Sequence, residues 1–207
     1  MLSAAGIIEF SIGTIFINNI VLTRFLGLCP LLGTTNRVSV AAGMGIAVSF
    51  VMTFSAAITW IVQHYLFLPF DMIYLQTVVF VLVIGGLVQL VEAAVQKFSP
   101  VLYESMGLYL PLIATNCAVF AVALIGSGVH NGTMQPYSLL QSLCNGIMSG
   151  AGFTLALLIM AGIREKTTGA PVPGALEGLP IALLTAGLIA LAFLGFSGMT
   201  FTAGAGG

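Results

Sequence analysis

The sequence has 207 residues, of which 59% are apolar and only 5% charged, with a formal net charge of −1. Soluble proteins carry roughly 25% charged residues. Five Lys or Arg and six Asp or Glu residues cannot cover a water-soluble domain, so lipid must be the solvent for most of the surface. The near-neutral charge gives no sign of nucleic-acid binding, and three cysteines cannot form a complete disulfide framework.

Six predominantly apolar stretches are long enough to cross a bilayer as helices, which takes about 20 residues each. Polar, Gly and Pro breaks place them at about 5–31, 39–63, 71–95, 107–126, 137–161 and 179–199. The first stretch is too long for one plain crossing and contains Asn18, Asn19 and Arg24, which predicts a break in that helix. The predicted fold class is therefore an all-α integral membrane protein with six transmembrane helices.

The basic residues predict the orientation of these spans. All of them fall at the same side, in or next to the first, third and fifth loops: Arg24, Arg37, Lys97, Arg164 and Lys166. Because cytoplasmic loops carry an excess of Lys and Arg, we expect these loops in the cytoplasm and both termini on the outer, periplasmic side. The predicted location is the cytoplasmic (inner) membrane, with several crossings.

Three spans in each half place the start of the second half on the opposite side of the membrane, so any similarity between the halves is an inverted repeat. The predicted repeats are about 1–98 and about 99–199. A flexible tail is expected at 200–207. A weak similarity pairs Asn18 with Asn116 and Val21 with Val119. A helix rises about 1.5 Å per residue, which places both asparagine clusters roughly 15–17 Å deep, near the midplane. Such amides either bond across helices as structural ties or line a functional site.

Two of the three cysteines lie in unusual surroundings. Cys29 stands among Gly27, Pro30 and Gly33, residues at which a helix breaks or turns back. If the chain re-enters the membrane there, Cys29 approaches Cys117. Two thiolates are too few for a tetrahedral metal site or for an iron–sulfur cluster, which takes four ligands. The pair is therefore either a half-site completed by a partner or two small buried hydrophobes.

Several segments of the chain resemble the RnfA/NqrE family. The segments with the clearest resemblance are Asn-Asn-Ile-Val-Leu at 18–22, Phe-Leu-Gly-Leu-Cys-Pro at 25–30 and Leu-Pro-Leu-Ile-Ala-Thr-Asn-Cys-Ala-Val at 110–119. Segments 99–103 and 181–198 also fit, so the resemblance covers nearly the whole chain. The two cysteine segments are the specific ones, and they are closer to the Rnf version than to the Nqr version.

The resemblance implies six helices in two inverted three-helix repeats, with broken first and fourth helices. It implies a homologous, RnfE-like membrane partner of opposite topology and a [2Fe–2S] cluster shared with it, for which Cys29 and Cys117 are this chain's ligands. Complexes of this family pass electrons between ferredoxin and NAD, through flavins and iron–sulfur centres in other subunits, and couple this to Na⁺ or H⁺ movement. The chain would thus be one component of a translocating oxidoreductase, with no catalytic site of its own.

Hydrogen bonds to cluster sulfurs tune the reduction potential, and Asn19, Gly27 and Asn116 are the candidates for giving them. The third cysteine, Cys144, is interpreted as a small hydrophobe, and His64 and His130 as interfacial residues.

Two acidic residues and two further classes of function remain open. Glu92 either serves an ion path or pairs with Lys97 at the interface, and Asp71 is expected to cap the third span. An inverted-repeat secondary transporter of a small solute or ion, and a purely structural anchor, are the alternative functions. No Ser/His/Asp grouping, phosphate loop or dinucleotide fingerprint is found.

Overall fold

The computed structural model describes residues 12–67, 75–98, 116–126, 129–130, 133–134, 138–169 and 177–196. Within these residues the chain is helical apart from one short hairpin. The helices are α1 Ile20–Arg24, α2 Leu28–Gly33, α3 Val38–Val62, α4 Gln76–Phe98, α5 Cys117–Gly126, α6 Leu139–Thr167 and α7 Leu179–Phe196. One π-helical turn, Gly13–Ile17, precedes α1, and another, Gln63–Phe67, extends α3. Strands β1 Val129–His130 and β2 Thr133–Met134 pair antiparallel.

Two of the described helices are long and apolar enough to cross a membrane, Val38–Leu66 and Leu139–Thr167, with 29 residues each. Shorter apolar stretches occur in α4, α5 and α7. Helices α4 and α7 also expose large aliphatic side chains, for example Leu82 at 72% and Leu188 at 64%. An outer surface of this kind is suited to lipid rather than water.

Helices α3 and α6 form the central antiparallel pair. Small residues alternate at their contact: a Cβ on Gly150 would lie 2.7 Å from Cβ of Ser49, and one on Gly45 would lie 2.6 Å from Cγ2 of Thr154. Ser49 Oγ and Thr154 Oγ1 share a hydrogen bond of 3.1 Å across the pair. In lipid, helices associate through such close backbone approach and through interhelical hydrogen bonds. The pair is the scaffold on which the shorter elements rest.

The predicted break in the first stretch is present. The π-helical turn ends at Asn18, α1 begins after Asn19 and ends at Arg24, and α2 starts again at Leu28. Between α1 and α2, Phe25 and Gly27 both have a positive φ, of 54° and 83°. No helix passes straight through such backbone, so the described part of the first stretch, from residue 12 onwards, consists of three short helical pieces instead of one continuous helix.

Three basic residues that follow the predicted third and fifth spans lie in the last turns of helices. Lys97 is in the last turn of α4, and Arg164 and Lys166 are in the last turns of α6. These two helices therefore extend beyond their predicted apolar spans. A helix continues past the hydrocarbon as long as its carbonyls find partners, and cations near its C-terminus are favourable.

Some predictions fall outside the described residues: the span from 107 to 115, Asp71 and the tail at 200–207. Glu92 lies in α4, but its side chain is also outside the description. The six-span inverted repeat stays a prediction.

Candidate functional site

The turn between α1 and α2 is built on Gly27. Its φ of +83° is one that L side chains rarely adopt, and the space beside it is already filled. A Cβ there would lie 2.8 Å from Cε2 of Phe153, 3.2 Å from Cβ of Ala118 and 3.2 Å from Oδ1 of Asn116. The turn is therefore pressed against the start of α5 and against α6, and both its backbone and its surroundings require glycine.

Cys117 is joined directly to this turn. The backbone N–H of Gly27 donates a hydrogen bond to Cys117 Sγ, with N and Sγ 3.0 Å apart. The two residues are 90 positions apart in the sequence. Cys117 is the first residue of α5, and its side chain is exposed. The turn before Cys29 therefore contacts Cys117 through Gly27, and the approach of Cys29 itself to Cys117 stays a prediction.

Cys29 lies at the same place, two residues after Gly27 and in the first turn of α2. Its thiol is exposed, like that of Cys117. The neighbouring Pro30 and Leu31 are buried. Cys29 and Cys117 are thus both exposed, which is unlike the behaviour of cysteines that serve only as small core hydrophobes.

Two asparagines cap the helices around this turn. The Oδ1 atom of Asn19 accepts from the N–H of Val21 at 3.1 Å, and Oδ1 of Asn116 accepts from the N–H of Ala118 at 3.0 Å. This is the usual N-cap bond, made two residues ahead. The weak repeat in the sequence pairs Asn18 with Asn116, whereas the structure gives the equivalent capping role to Asn19. Asn18 is exposed.

The side-chain amide nitrogens of Asn19 and Asn116 differ in their hydrogen-bond partners. Asn19 Nδ2 donates to the carbonyls of Ile15, at 3.1 Å, and Gly152, at 2.9 Å, so this residue ties α6 to the first segment. Asn116 is 4% exposed, and within the described part of the chain its Nδ2 has no acceptor. Three other buried side-chain atoms there have no hydrogen-bond partner: Ser55 Oγ, Gln63 Oε1 and Asn145 Nδ2. Asn116 is the one that adjoins Gly27 and Cys117.

Comparison with known proteins shows to which family the chain belongs. A family described as Rnf-Nqr subunit, membrane protein, matches residues 7–200, which is most of the chain. The chain belongs to the Rnf-Nqr family of membrane subunits. The family resemblance noted in the sequence is confirmed, and so is membrane residence at the level of the family.

Several curated Rnf-Nqr relatives are similar over almost their whole length. The A component of the Na(+)-translocating ferredoxin:NAD(+) oxidoreductase complex of Acetobacterium woodii is 53% identical over 193 residues, covering 93% of this chain and 97% of the relative. The corresponding component of the ion-translocating oxidoreductase complex of Syntrophotalea carbinolica is 51% identical, covering 91% and 94%. That of the proton-translocating ferredoxin:NAD(+) oxidoreductase complex of Clostridium ljungdahlii is 46% identical, covering 94% and 98%.

The remaining candidates of this Rnf-Nqr chain lie elsewhere. Cys144 is half-buried near the start of α6, roughly 12 Å along that helix from Gly152. His64 stacks on Trp60, with ring centroids 5.1 Å apart, in the π-helical turn after α3, and His130 is in β1. Among the residues described, no three His, Cys, Asp or Glu side chains converge as a metal site.

One residue of the site was missed by sequence reasoning. Arg164 of α6 donates from one guanidinium nitrogen to the carbonyl of Leu32, at 2.7 Å, and to Thr35 Oγ1, at 3.0 Å. Both acceptors lie at the end of the segment that carries Cys29. In the sequence Arg164 served only as a marker of the cytoplasmic side. The adjacent Thr34-Thr35 pair, directly after Gly33, was the available signal of a polar helix end.

Proposed function

We propose that this chain is the A-type membrane component of an ion-translocating ferredoxin:NAD⁺ oxidoreductase complex, and that it holds one half of a [2Fe–2S] cluster through Cys29 and Cys117. Family membership supports the first part, as do relatives named as the A component of such complexes. The second part rests chiefly on one observation, the hydrogen bond from Gly27 N–H to Cys117 Sγ, which brings the two cysteine segments together.

The residues present fit half of such a cluster. Iron–sulfur clusters are held by thiolates, four in the usual case, and this site offers two exposed thiols beside one turn. Deprotonated sulfur is the species that binds metal. A backbone N–H already points at Cys117 Sγ, and the buried N–H₂ of Asn116 next to it has no acceptor among the described residues. A sulfur-rich anionic group would satisfy that donor.

When bound, a [2Fe–2S] cluster accepts and releases single electrons. The work of this chain's own residues is to hold the thiols and set their surroundings. The N–H of Gly27 donates to Cys117 Sγ, and the amide of Asn116 would donate to sulfur of the bound cluster; such donors favour added negative charge and would raise the reduction potential. Asn19 does not contribute in this way, since both of its N–H groups are directed at carbonyl oxygens.

Two thiols on the surface leave the other two ligands to a partner. We propose a homologous, RnfE-like membrane protein of opposite topology, which would place a matching pair of cysteines against this face. The other subunits would carry flavin and further iron–sulfur centres. The chain would lie in the cytoplasmic membrane with both termini outside, because the five basic residues lie on one side of the predicted spans.

Electron transfer through the complex is proposed to be coupled to movement of Na⁺ or H⁺. One relative is named as Na⁺-translocating and another as proton-translocating, at 53% and 46% identity. Overall similarity to these relatives therefore does not decide between the two ions.

The site is tested by chemical analysis of the purified complex. We expect Cys29→Ala and Cys117→Ala each to lose two iron and two acid-labile sulfide atoms per complex, whereas Cys144→Ala keeps the wild-type content. Wild-type iron in both ligand variants would show that the site assignment is wrong. Solute uptake by the chain reconstituted alone would instead favour the transporter alternative.

A further inference from the structure

The end of α2 is closed by side chains. The hydroxyl of Thr34 donates to the carbonyl of Pro30 at 2.7 Å, and that of Thr35 donates to the carbonyl of Leu31 at 2.6 Å. The guanidinium of Arg164 takes the next carbonyl, that of Leu32, at 2.7 Å. Three successive carbonyls in the last turn of α2, where a helix leaves carbonyls without intrahelical partners, thus each accept a hydrogen bond from a side chain.

Arg164 is connected to this end twice. Its nitrogen also donates to Thr35 Oγ1 at 3.0 Å, and Thr35 is fully buried, at 0% exposed. Thr35 therefore accepts from Arg164 while it donates to Leu31. The arrangement joins the C-terminal end of α6 to the C-terminal end of α2 over 132 positions of sequence.

Helix α2 depends on such anchors because it has only six residues. A helix of that length does not persist without tertiary support. At its start, the N–H of Gly27 is bonded to Cys117 Sγ, and at its end Leu32 is bonded to Arg164. Cys29 lies between these two anchors and has an exposed side chain of its own, so its position follows from theirs.

We infer that Arg164 is a positioning residue for Cys29. It fixes the far end of α2 to α6 and thereby sets where the Cys29 sulfur stands relative to Cys117. The inference rests on the proposed function in that it treats Cys29 as a cluster ligand. It goes further by placing a determinant of the site on α6, 135 residues from Cys29 along the chain and outside both cysteine segments.

The chemistry of arginine makes the inference specific. One charged, planar group reaches two acceptors of fixed direction, and lysine offers a point charge on a flexible stem. A lysine ammonium keeps the charge but replaces the planar guanidinium that makes both bonds from one nitrogen. If Arg164 served only to orient the chain in the membrane, its positive charge would suffice, and Arg164→Lys would match wild type. If Arg164 positions Cys29, Arg164→Lys should differ from wild type.

The experiment compares Arg164→Gln and Arg164→Lys with Lys166→Gln in the purified complex. Lys166 is exposed and belongs to the same helix end, so its variant removes an equal charge. We expect Arg164→Gln to shift the midpoint potential and EPR line shape of the cluster and to lose iron to a chelator several-fold faster. Arg164→Lys should be intermediate, and Lys166→Gln should match wild type. An unchanged potential, line shape and chelation rate in Arg164→Gln would overturn the inference.

Hydrogen exchange gives a second measurement that needs no cluster. Amides at 28–35 should exchange several-fold faster in Arg164→Gln than in Lys166→Gln, and equal rates would overturn the anchoring. If Cys29→Ala and Cys117→Ala kept the cluster, the proposed function would fail, while faster exchange in Arg164→Gln would still show that Arg164 holds α2. The two failures are therefore distinguishable.

Discussion

At the scale of single residues, the site is determined by what surrounds one turn. Gly27 combines a left-handed backbone with three close neighbours. Gly178 has a similar φ of +88°, but nothing lies within 4 Å of where its Cβ would be. Comparing alanine substitutions at these two glycines therefore separates the cost of backbone strain, which both share, from the cost of crowding, which arises only at Gly27.

Replacing Gly27 with alanine should disrupt the site more than the matched change at Gly178. Left-handed backbone costs a non-glycine residue about 1–2 kcal/mol, and forcing a methyl group into filled space adds about 1–3 kcal/mol. We expect Gly27→Ala to lower the thermal midpoint and the iron content of the complex, and Gly178→Ala to lower the midpoint slightly with full iron content. Equal effects on iron would contradict the packing described here.

The two capping asparagines give a second residue-scale prediction. Aspartate keeps the capping oxygen and removes the N–H donor. At position 116 it also adds negative charge beside sulfur, so Asn116→Asp should lower the midpoint potential of the cluster. A net hydrogen bond of about 1 kcal/mol corresponds to roughly 40 mV for a one-electron couple, and the added charge increases the shift. Redox titration followed by EPR measures it.

Asn19→Asp is the matched control for this prediction. It loses the bonds to Ile15 and Gly152, each worth roughly 1–3 kcal/mol when a buried group is left unsatisfied. We expect the Asn19→Asp complex to have a lower thermal midpoint than wild type. In the fraction of this complex that assembles, the midpoint potential of the cluster should be unchanged. A potential shift in Asn19→Asp as large as that in Asn116→Asp would refute the distinction between the two caps.

At the scale of elements, the short helices depend on the long ones. Helices α3 and α6 approach closely through small residues, and α6 then carries Gly152, which binds Asn19, and Arg164, which binds Leu32. Shifting α6 relative to α3 would therefore move both contacts with the first segment.

A methyl group at Gly150 should separate this pair. Its Cβ would lie 2.7 Å from Cβ of Ser49, whereas nothing lies within 4 Å of a Cβ at Gly162 on the same helix. We expect Gly150→Ala to destabilise the fold by about 1–3 kcal/mol. Gly162→Ala should be neutral or stabilising by up to about 1 kcal/mol, since alanine is the better helix former. Thermal unfolding in detergent tests this, and equal midpoints would contradict the close packing.

The sequence was informative about elements and less so about side-chain partners. Asn18, Asn19, Gly27 and Pro30 predicted a broken first segment because they act on the local backbone. The break brings Gly27 to Cys117, whereas the sequence predicted the approach of Cys29. The bond from Arg164 to Leu32 could not be read from the chain, because it depends on how far α6 continues and on the α3–α6 register. The same holds for Asn19 and Asn116, identical residues whose amide nitrogens differ only through tertiary neighbours.

At the scale of the whole molecule, the chain belongs to a family of membrane proteins, and its proposed cluster site is incomplete. Cys29 and Cys117 are both exposed, and two thiolates are half of the four ligands that a cluster takes. In the proposed arrangement the apolar helices would face lipid and the two thiols would face a partner. We therefore expect the cluster to require both membrane proteins of the pair.

The most direct test is the spin-quantified EPR spectrum of the reduced complex, recorded for wild type, Cys29→Ala and Cys117→Ala. The proposed half-site predicts that each variant lacks the same [2Fe–2S] signal, so that the two difference spectra against wild type are identical and account for one spin per complex. Variants whose spectra coincide with wild type would contradict it.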